Sequence, residues 1–281
     1  MTDVRLLTLA NGIELECEEA GQGARPLVLV HGFTGSRDDW REQMVPLSEL
    51  GRTLALDQRG HGGSTNTGDP ESYTLDQLCE DLGRALDVLE IAECDLLGHS
   101  LGGMVTLRFA LARPERVASL ILMDTSARAM EMMPARVMEG SRKLVRKEGT
   151  GALAKLMRDA ASGNPRTAPS TRAAVDAMGF DRWWDRIQKK LDQMDPEAFV
   201  ALSLALGEQQ SAVPRLGEIS CPTTILVGEQ DQPFLAPSEE LESGIPDARL
   251  VKIPDAAHSP QLENPAAWLA AIRDHLARVR A

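Results

Sequence analysis

The 281-residue chain carries 30 Lys and Arg against 42 Asp and Glu, a formal charge of −12, which argues against nucleic acid, whose phosphates call for a basic face. Hydrophobic residues make up 43% and charged residues 26%, the balance of a soluble globular protein long enough to bury a substantial core. No apolar run approaches a bilayer span, Met1 to Gly12 holds no signal-peptide h-region, and Cys17, Cys79, Cys94 and Cys221 lack metal or disulfide spacing. A cytoplasmic protein with reduced thiols, no metal and no organic cofactor is the expectation.

In chain order, Val4 to Ala10 and Ile13 to Ala20 alternate around Asn11-Gly12, the signal of a hairpin with a type I′ turn. Leu27 to Val30 is a continuous apolar run, as in a strand buried on both faces, and it ends in His31-Gly32-Phe33-Thr34-Gly35. A helix is predicted over about Asp38 to Leu50, with Trp40, Met44 and Leu47 on one face. Thr53 to Asp57 gives the next strand, running into the glycine-rich turn Gln58 to Ser64. Thr74 caps a helix carrying Leu75, Leu78, Leu82, Leu86 and Leu89.

Cys94 to Leu97 then leads into Gly98-His99-Ser100-Leu101-Gly102-Gly103, followed by the helical stretch Met104 to Ala112. Strand, tight turn and helix are the context that the G-x-S-x-G pattern requires. The turn holds Ser100 in a strained backbone, and Gly98 and Gly102 supply the room it needs. The helix N-terminus beneath the serine favours negative charge developing there.

Val117 to Met123 is another buried strand, ending at Asp124. Residues 127 to about 215 contain no convincing strand and read as several short helices, broken at Gly149, Gly163-Asn164-Pro165, Gly179 and Pro196. The alternation then resumes. A strand over Thr223 to Val227 precedes a loop with Asp231, and a helix follows near Ser238 to Ser243. A strand over Arg249 to Ile253 precedes a loop with His258, and a last helix spans Pro265 to Arg280 behind Asn264. Strands alternating with helices predict an α/β fold, a mostly parallel eight-stranded-type sheet covered on both faces. Residues 1–126 and 216–281 form its core. Residues 127–215 form a helical lid, inserted after the sixth strand over the sheet edge where open α/β folds bind ligands.

A serine nucleophile needs a base, which histidine supplies near neutral pH. Of the five histidines, His31 ends a strand and suits loop support, His61 sits in the turn after Asp57, and His99 leaves the serine turn in another direction. His275 reads as a surface residue of the last helix. His258 lies straight after a strand, at the edge where Ser100 emerges, and is the expected base. Asp231 is the expected acid, in the turn Gly228-Glu229-Gln230-Asp231, with Asp124 and Glu229 as rivals. The order Ser100, Asp231, His258 is that of the fold. The backbone N–H groups of Phe33 and Leu101 are the expected oxyanion donors. Phe33, His99, Trp183 and Trp184 are the expected substrate contacts.

His31-Gly32-Phe33, Asp57 to Ser64, the Gly98 to Gly103 turn, Asp231 and His258 together resemble the α/β-hydrolase family over nearly all of the chain. They look similar to its lidded serine esterases, enol-lactonases and C–C bond hydrolases. In that family the turn around Arg59, His61 and Ser64 is structural. The resemblance implies a hydrolase cleaving a carboxylic ester or lactone through an acyl-enzyme on Ser100. Haloalkane dehalogenases and epoxide hydrolases look similar but use aspartate where Ser100 stands, and the His-Gly-Gly-Gly loop of another branch is missing. A same-fold lyase is an alternative. Menaquinone-pathway succinyl-hydroxycyclohexadiene-carboxylate synthases look similar around His31 to Gly35 and Gly60 to Ser64, although they usually carry Tyr where His99 stands. Such a lyase would draw on lid arginines, of which Arg128, Arg136, Arg142 and Arg146 are available. A weakly catalytic ligand receptor is a third reading. The lid residues Met130, Met132, Met133, Met138, Met157, Met178, Met194, Phe180, Phe199, Trp183 and Trp184 suggest an adaptable apolar pocket, although packing of the lid on the core accounts for most of them. The expected partner is a small-molecule ester or lactone, and the chain is a monomer or a homodimer.

Overall fold

The structure, a computed structural model, describes residues 2–130, 133–161 and 167–280. In chain order the strands are β1 (Asp3–Thr8), β2 (Glu14–Ala20), β3 (Leu27–Val30), β4 (Thr53–Leu56), β5 (Cys94–His99), β6 (Val117–Met123), β7 (Thr223–Gly228) and β8 (Ala248–Ile253). The helices are α1 (Arg41–Ser48), α2 (Leu75–Val88), α3 (Leu101–Ala112), α4 (Ala135–Glu148), α5 (Thr150–Ala161), α6 (Pro169–Met178), α7 (Phe180–Asp192), α8 (Pro196–Glu208), α9 (Gln232–Gly244), α10 (Pro260–Glu263) and α11 (Pro265–Val279).

The eight strands form one sheet in the order β1-β2-β4-β3-β5-β6-β7-β8. β1 pairs with β2, and β2 with β4, antiparallel; all other pairs are parallel. The central strands β3, β4 and β5 are buried at every position, because helices cover both faces. Side chains alternate between those faces with the period of two that a strand imposes. Val28, Val30, Leu54, Leu56, Leu96 and Leu122 join one core with α2, α3 and α8. Leu27, Leu29, Ala55, Leu97, Ile121 and Met123 join the other, with Trp40, Met44, Trp268 and Ile272. Trp40 stacks on Trp268 there, at 6.2 Å between ring centroids.

Local signals explain several element ends. Thr74 accepts from Gln77 N at 3.1 Å and Asn264 from Ala267 N at 3.2 Å, capping α2 and α11. The predicted helix from Asp38 is instead a 3₁₀ turn, Arg37–Trp40, capped by Ser36 and continued by α1. The predicted helix near Ser238 is longer, because α9 starts at Gln232, directly after Asp231, with Pro233 in its first turn. The first hairpin also departs from expectation. Type I′ needs positive φ at both central residues, and here Gly12 has it (φ 81°) while Asn11 does not. Gly12 N donates to Leu9 O, and Leu9 N to Ile13 O, so the connection is a three-residue loop with glycine at the left-handed position.

Helices α4 to α8 lie between β6 and β7. Helix α7 docks on the segment before α1: Lys190 Nζ lies 2.5 Å from Asp39 Oδ1, and Arg186 pairs with Glu42 at 2.9 Å while donating to Asp38 O. Met132 and the predicted break Gly163-Asn164-Pro165 lie outside the described residues.

Candidate active site

At the end of β5 the chain reverses through Ser100, whose φ of 52° and ψ of −116° are strained for any residue with a Cβ. Neighbours hold it there. Ser100 N donates to Met123 O at 2.9 Å, and Thr125 Oγ1 donates to Ser100 O at 2.6 Å. The two glycines of the motif have steric reasons. A Cβ on Gly98 would lie 2.2 Å from Thr106 Oγ1, and one on Gly102 would lie 2.3 Å from Val30 O. The loop after β3 also comes close: a Cβ on Gly32 would stand 3.1 Å from Ser100 Cβ. The backbone of Phe33 therefore passes beside the serine, as does the first N–H of α3, that of Leu101.

His258 arrives on the loop after β8, and Asp231 on the turn after β7. His258 Nδ1 lies 2.7 Å from Asp231 Oδ2. The two loops are bonded to each other through Gln230 N to Ala256 O at 2.8 Å and Glu229 N to Ile253 O at 3.0 Å. Glu229 therefore serves that backbone contact, and Asp231 is the carboxylate on the imidazole. Phe234 stacks on the His258 ring at 4.8 Å. Glu263 accepts from Ala257 N and from Thr171 Oγ1, joining the base loop to α6. Ser100 Oγ makes no hydrogen bond among the described residues, and catalytic bonds of this kind are commonly long before substrate binds.

Ser100, His258, His99, Phe33 and Trp183 line one cavity of about 220 Å³, together with Leu153, Met157, Arg186, Ile187, Lys190 and Leu191. His99 is a buried neighbour of the base as well as a lining residue. Its Nε2 lies 2.7 Å from His258 O, and burial lowers its pKa to about 3, so the ring is neutral and donates to that carbonyl. Trp184 does not face this cavity. It is buried beside Phe180, at 6.2 Å, because adjacent helical residues point about 100° apart. Trp183, Ile187 and Lys190 share the face that Trp184 leaves. Of the apolar residues named between β6 and β7, Met157 and Trp183 reach the cavity. Met130, Met133 and Met138 line a separate one of about 430 Å³ beside α8, and Phe199 packs on Phe33 at 5.1 Å.

The remaining histidines are structural. His31 Nε2 accepts from Gln58 N at 3.0 Å, so its Nδ1–H donates to Gly32 O at 2.8 Å, and burial lowers its pKa to about 4. His61 packs against it at 4.9 Å. His275 is buried, contrary to its predicted surface position. It bridges Thr224 Oγ1 at 2.8 Å and Ser119 Oγ at 2.9 Å, because its face of α11 lies against β6 and β7. Arg59 forms a buried bidentate pair with Asp81, with Nη2 to Oδ1 at 2.6 Å. None of Arg128, Arg136, Arg142 and Arg146 lines the Ser100 cavity; Arg128 pairs with Glu240 and Arg146 with Glu197. Among the described residues, the Lys and Arg side chains at the cavity are Arg186 and Lys190.

Asp124, the rival acid, ends β6 with φ 45°. It is buried, and its Oδ1 accepts from Gly228 N at 2.9 Å. Sequence reasoning missed Phe234, Thr125, Glu263 and the anchoring role of His99, whose partners are all distant in the chain.

Comparison with known proteins identifies the fold. The family model described as alpha/beta hydrolase fold matches residues 25–265. A malate-bound thermophilic esterase from Thermogutta terrifontis superposes with a TM-score of 0.82 at 32% identity, covering 99% of this chain and 100% of the other. The enol-lactonase from Burkholderia xenovorans LB400 superposes with a TM-score of 0.82 at 26% identity, covering 97% and 100%. A provisionally assigned 2-succinyl-6-hydroxy-2,4-cyclohexadiene-1-carboxylate synthase of Bacillus subtilis (strain 168) is 27% identical over 267 residues, 92% of this chain and 93% of its own.

Proposed function

The chain belongs to the alpha/beta hydrolase fold family, and from that premise we propose that it is a serine hydrolase that cleaves a carboxylic ester or lactone through an acyl-enzyme on Ser100. The observation that carries this reading is the 2.7 Å bond from His258 to Asp231, with His258 in the same cavity as a strained Ser100. Because Nδ1–H is committed to the carboxylate, Nε2 is the free basic nitrogen.

Ser100 Oγ attacks the carbonyl carbon as His258 Nε2 takes its proton. The N–H groups of Phe33 and Leu101 receive the oxyanion. Backbone donors of this kind are fixed before the reaction, which is the source of their effect. His258 then returns the proton to the leaving alkoxide. Water repeats the sequence on the acyl-enzyme and releases the acid. The helices between β6 and β7 act as a lid, and their Leu153, Met157, Trp183, Ile187 and Leu191 suit a medium-sized apolar acyl or alcohol group. His99 fixes the backbone of the base and closes the floor.

The similarity to the Bacillus subtilis synthase supports one second reading: a lyase or C–C bond hydrolase that uses the same serine and base on a carboxylate-bearing substrate, for which Arg186 and Lys190 at the cavity would have to exchange their pairs with Glu42 and Asp39. Hydrolysis of aryl esters of increasing acyl length, by wild type and by Ser100→Ala, separates the two. The ester reading expects turnover by wild type and a fall of about a thousandfold or more in the variant. Absence of turnover on every ester overturns it and moves the lyase and the weakly catalytic receptor ahead.

A further inference from the structure

The carboxyl of Asp124 has a buried oxygen for which the proposed mechanism gives no use. Oδ1 accepts from Gly228 N, whereas Oδ2 is inaccessible and has no hydrogen-bond partner when the group is read as an ionised carboxylate. Carboxylate oxygens of Asp124 and Asp231 and a ring nitrogen of His258 all lie within 4.8 Å of one another. A second full negative charge beside Asp231, buried and unpaired, is a costly arrangement. A proton on Oδ2 removes the charge and converts the orphaned acceptor into a donor beside the neighbouring carboxylate.

We infer that Asp124 is a neutral carboxylic acid whose Oδ2–H donates to an Asp231 oxygen, so that the two acids hold one proton and one charge and Asp124 positions Asp231 for His258. The groups that face it are consistent with that state. Asp231 comes from the start of α9, His258 from the base loop and Glu263 from α10, and among the described residues the one backbone donor is Gly228 N. Burial first, then the charges of Asp231 and Glu263, hold the Asp124 carboxyl protonated well above the usual carboxylate range, against the opposing Gly228 N–H. The left-handed backbone at Asp124, together with Asp124 N donating to Leu226 O at 2.9 Å, fixes the side chain in place. In this arrangement Asp231 is held on both sides, by Asp124 and by the imidazole. Asp124 touches no reacting atom and acts through Asp231. The inference rests on the serine-hydrolase reading for its catalytic consequence but not for the protonation itself.

Infrared difference spectroscopy at neutral pH tests the protonation directly. Wild type minus Asp124→Asn is expected to show the C=O stretch of an un-ionised carboxylic acid, moving down in D₂O. The same band is expected to shift in Asp231→Asn, where the proton no longer faces a carboxylate. No such band in wild type, or a band indifferent to Asp231→Asn, overturns the pairing. The kinetic arm uses ester hydrolysis. Asp124→Ala removes the donor and is expected to lower kcat by about 10- to 100-fold with KM little moved. Asp124→Asn, which tolerates the left-handed backbone and donates through Nδ2, recovers most of that loss. Equal losses in the two variants overturn the positioning role. If wild type hydrolyses no ester, the proposed reaction fails while the infrared band still decides the acid pair.

Discussion

Gly228→Ala is the sharpest test of how the acid and base loops are held. A Cβ at Gly228 would lie 2.1 Å from Ala257 O and 2.6 Å from Ala256 O, against the 3.0 Å below which real Cβ contacts essentially never fall. Both obstacles are backbone, so no side chain can rotate away, and one loop must retreat by about 0.9 Å. Ala257 directly precedes His258, and Asp231 N is bonded back to Gly228 O at 3.0 Å. The retreat therefore falls on the 2.7 Å bond between His258 Nδ1 and Asp231 Oδ2 and carries it beyond hydrogen-bond range. Misplacing a catalytic group by about 1 Å costs about 100-fold in rate, and overpacking costs about 1–3 kcal/mol of stability. Steady-state hydrolysis of the best aryl ester, on protein shown to be folded by circular dichroism, measures the first effect, and urea unfolding the second. A folded variant with kcat within about threefold of wild type would refute the reasoning, because it would mean that the two loops separate without disturbing the pair.

Four further outcomes are expected. Gly140→Ala, at an exposed position of α4 with nothing within 4 Å of the new Cβ, should raise stability by about 0.5–1 kcal/mol in urea unfolding and leave ester hydrolysis alone. Asp81→Asn leaves Arg59 as a buried cation without its partner and should destabilise by about 3–5 kcal/mol; a loss below about 1 kcal/mol in the same assay would count against a buried pair. His99→Phe removes the donor to His258 O and should lower kcat about five- to tenfold, with CD showing a folded protein. His31, His61 and His99 are buried neutral, with pKa values lowered by burial to about 4, about 3 and about 3 from 6.5. The unfolded chain therefore binds protons that the folded one refuses. Their contribution to stability should be level above about pH 6.5 and fall below it, by up to about 1.4 kcal/mol per pH unit for each ring, down to about pH 4, partly opposed by Asp57 and Asp124, whose carboxyls burial raises and which therefore add stability as pH falls. Urea midpoints that do not change between pH 7 and pH 5 would contradict the neutral burial of these rings.

The legible part of this protein is the part encoded over short distances. Ser100 between Gly98 and Gly102 is readable because one strained turn demands small neighbours in fixed places, and Leu27 to Val30 because a strand covered on both faces is apolar throughout. The chain order Ser100, Asp231, His258 follows from the strand order of a mostly parallel sheet. The hairpin shows the limit even at short range: Asn11-Gly12 announces a turn, while the register of Leu9 against Ile13 decides which turn it is. Tertiary packing decides the rest. Trp183 and Trp184 have the same chemistry, and only the seating of α7 puts one in the cavity and the other against Phe180. His275 read as surface because its helix ends the chain, yet α11 lies on the sheet and places that ring between Thr224 and Ser119. Asp124 and Asp231 stand 107 residues apart in sequence, and no local pattern reports that their carboxylates meet. Turns and strand periodicity are properties of adjacent residues, so sequence alone determines them. Which buried polar group faces which depends on how separate elements stack, and that is settled only when the sheet, the helices and the loops at its edge are packed together.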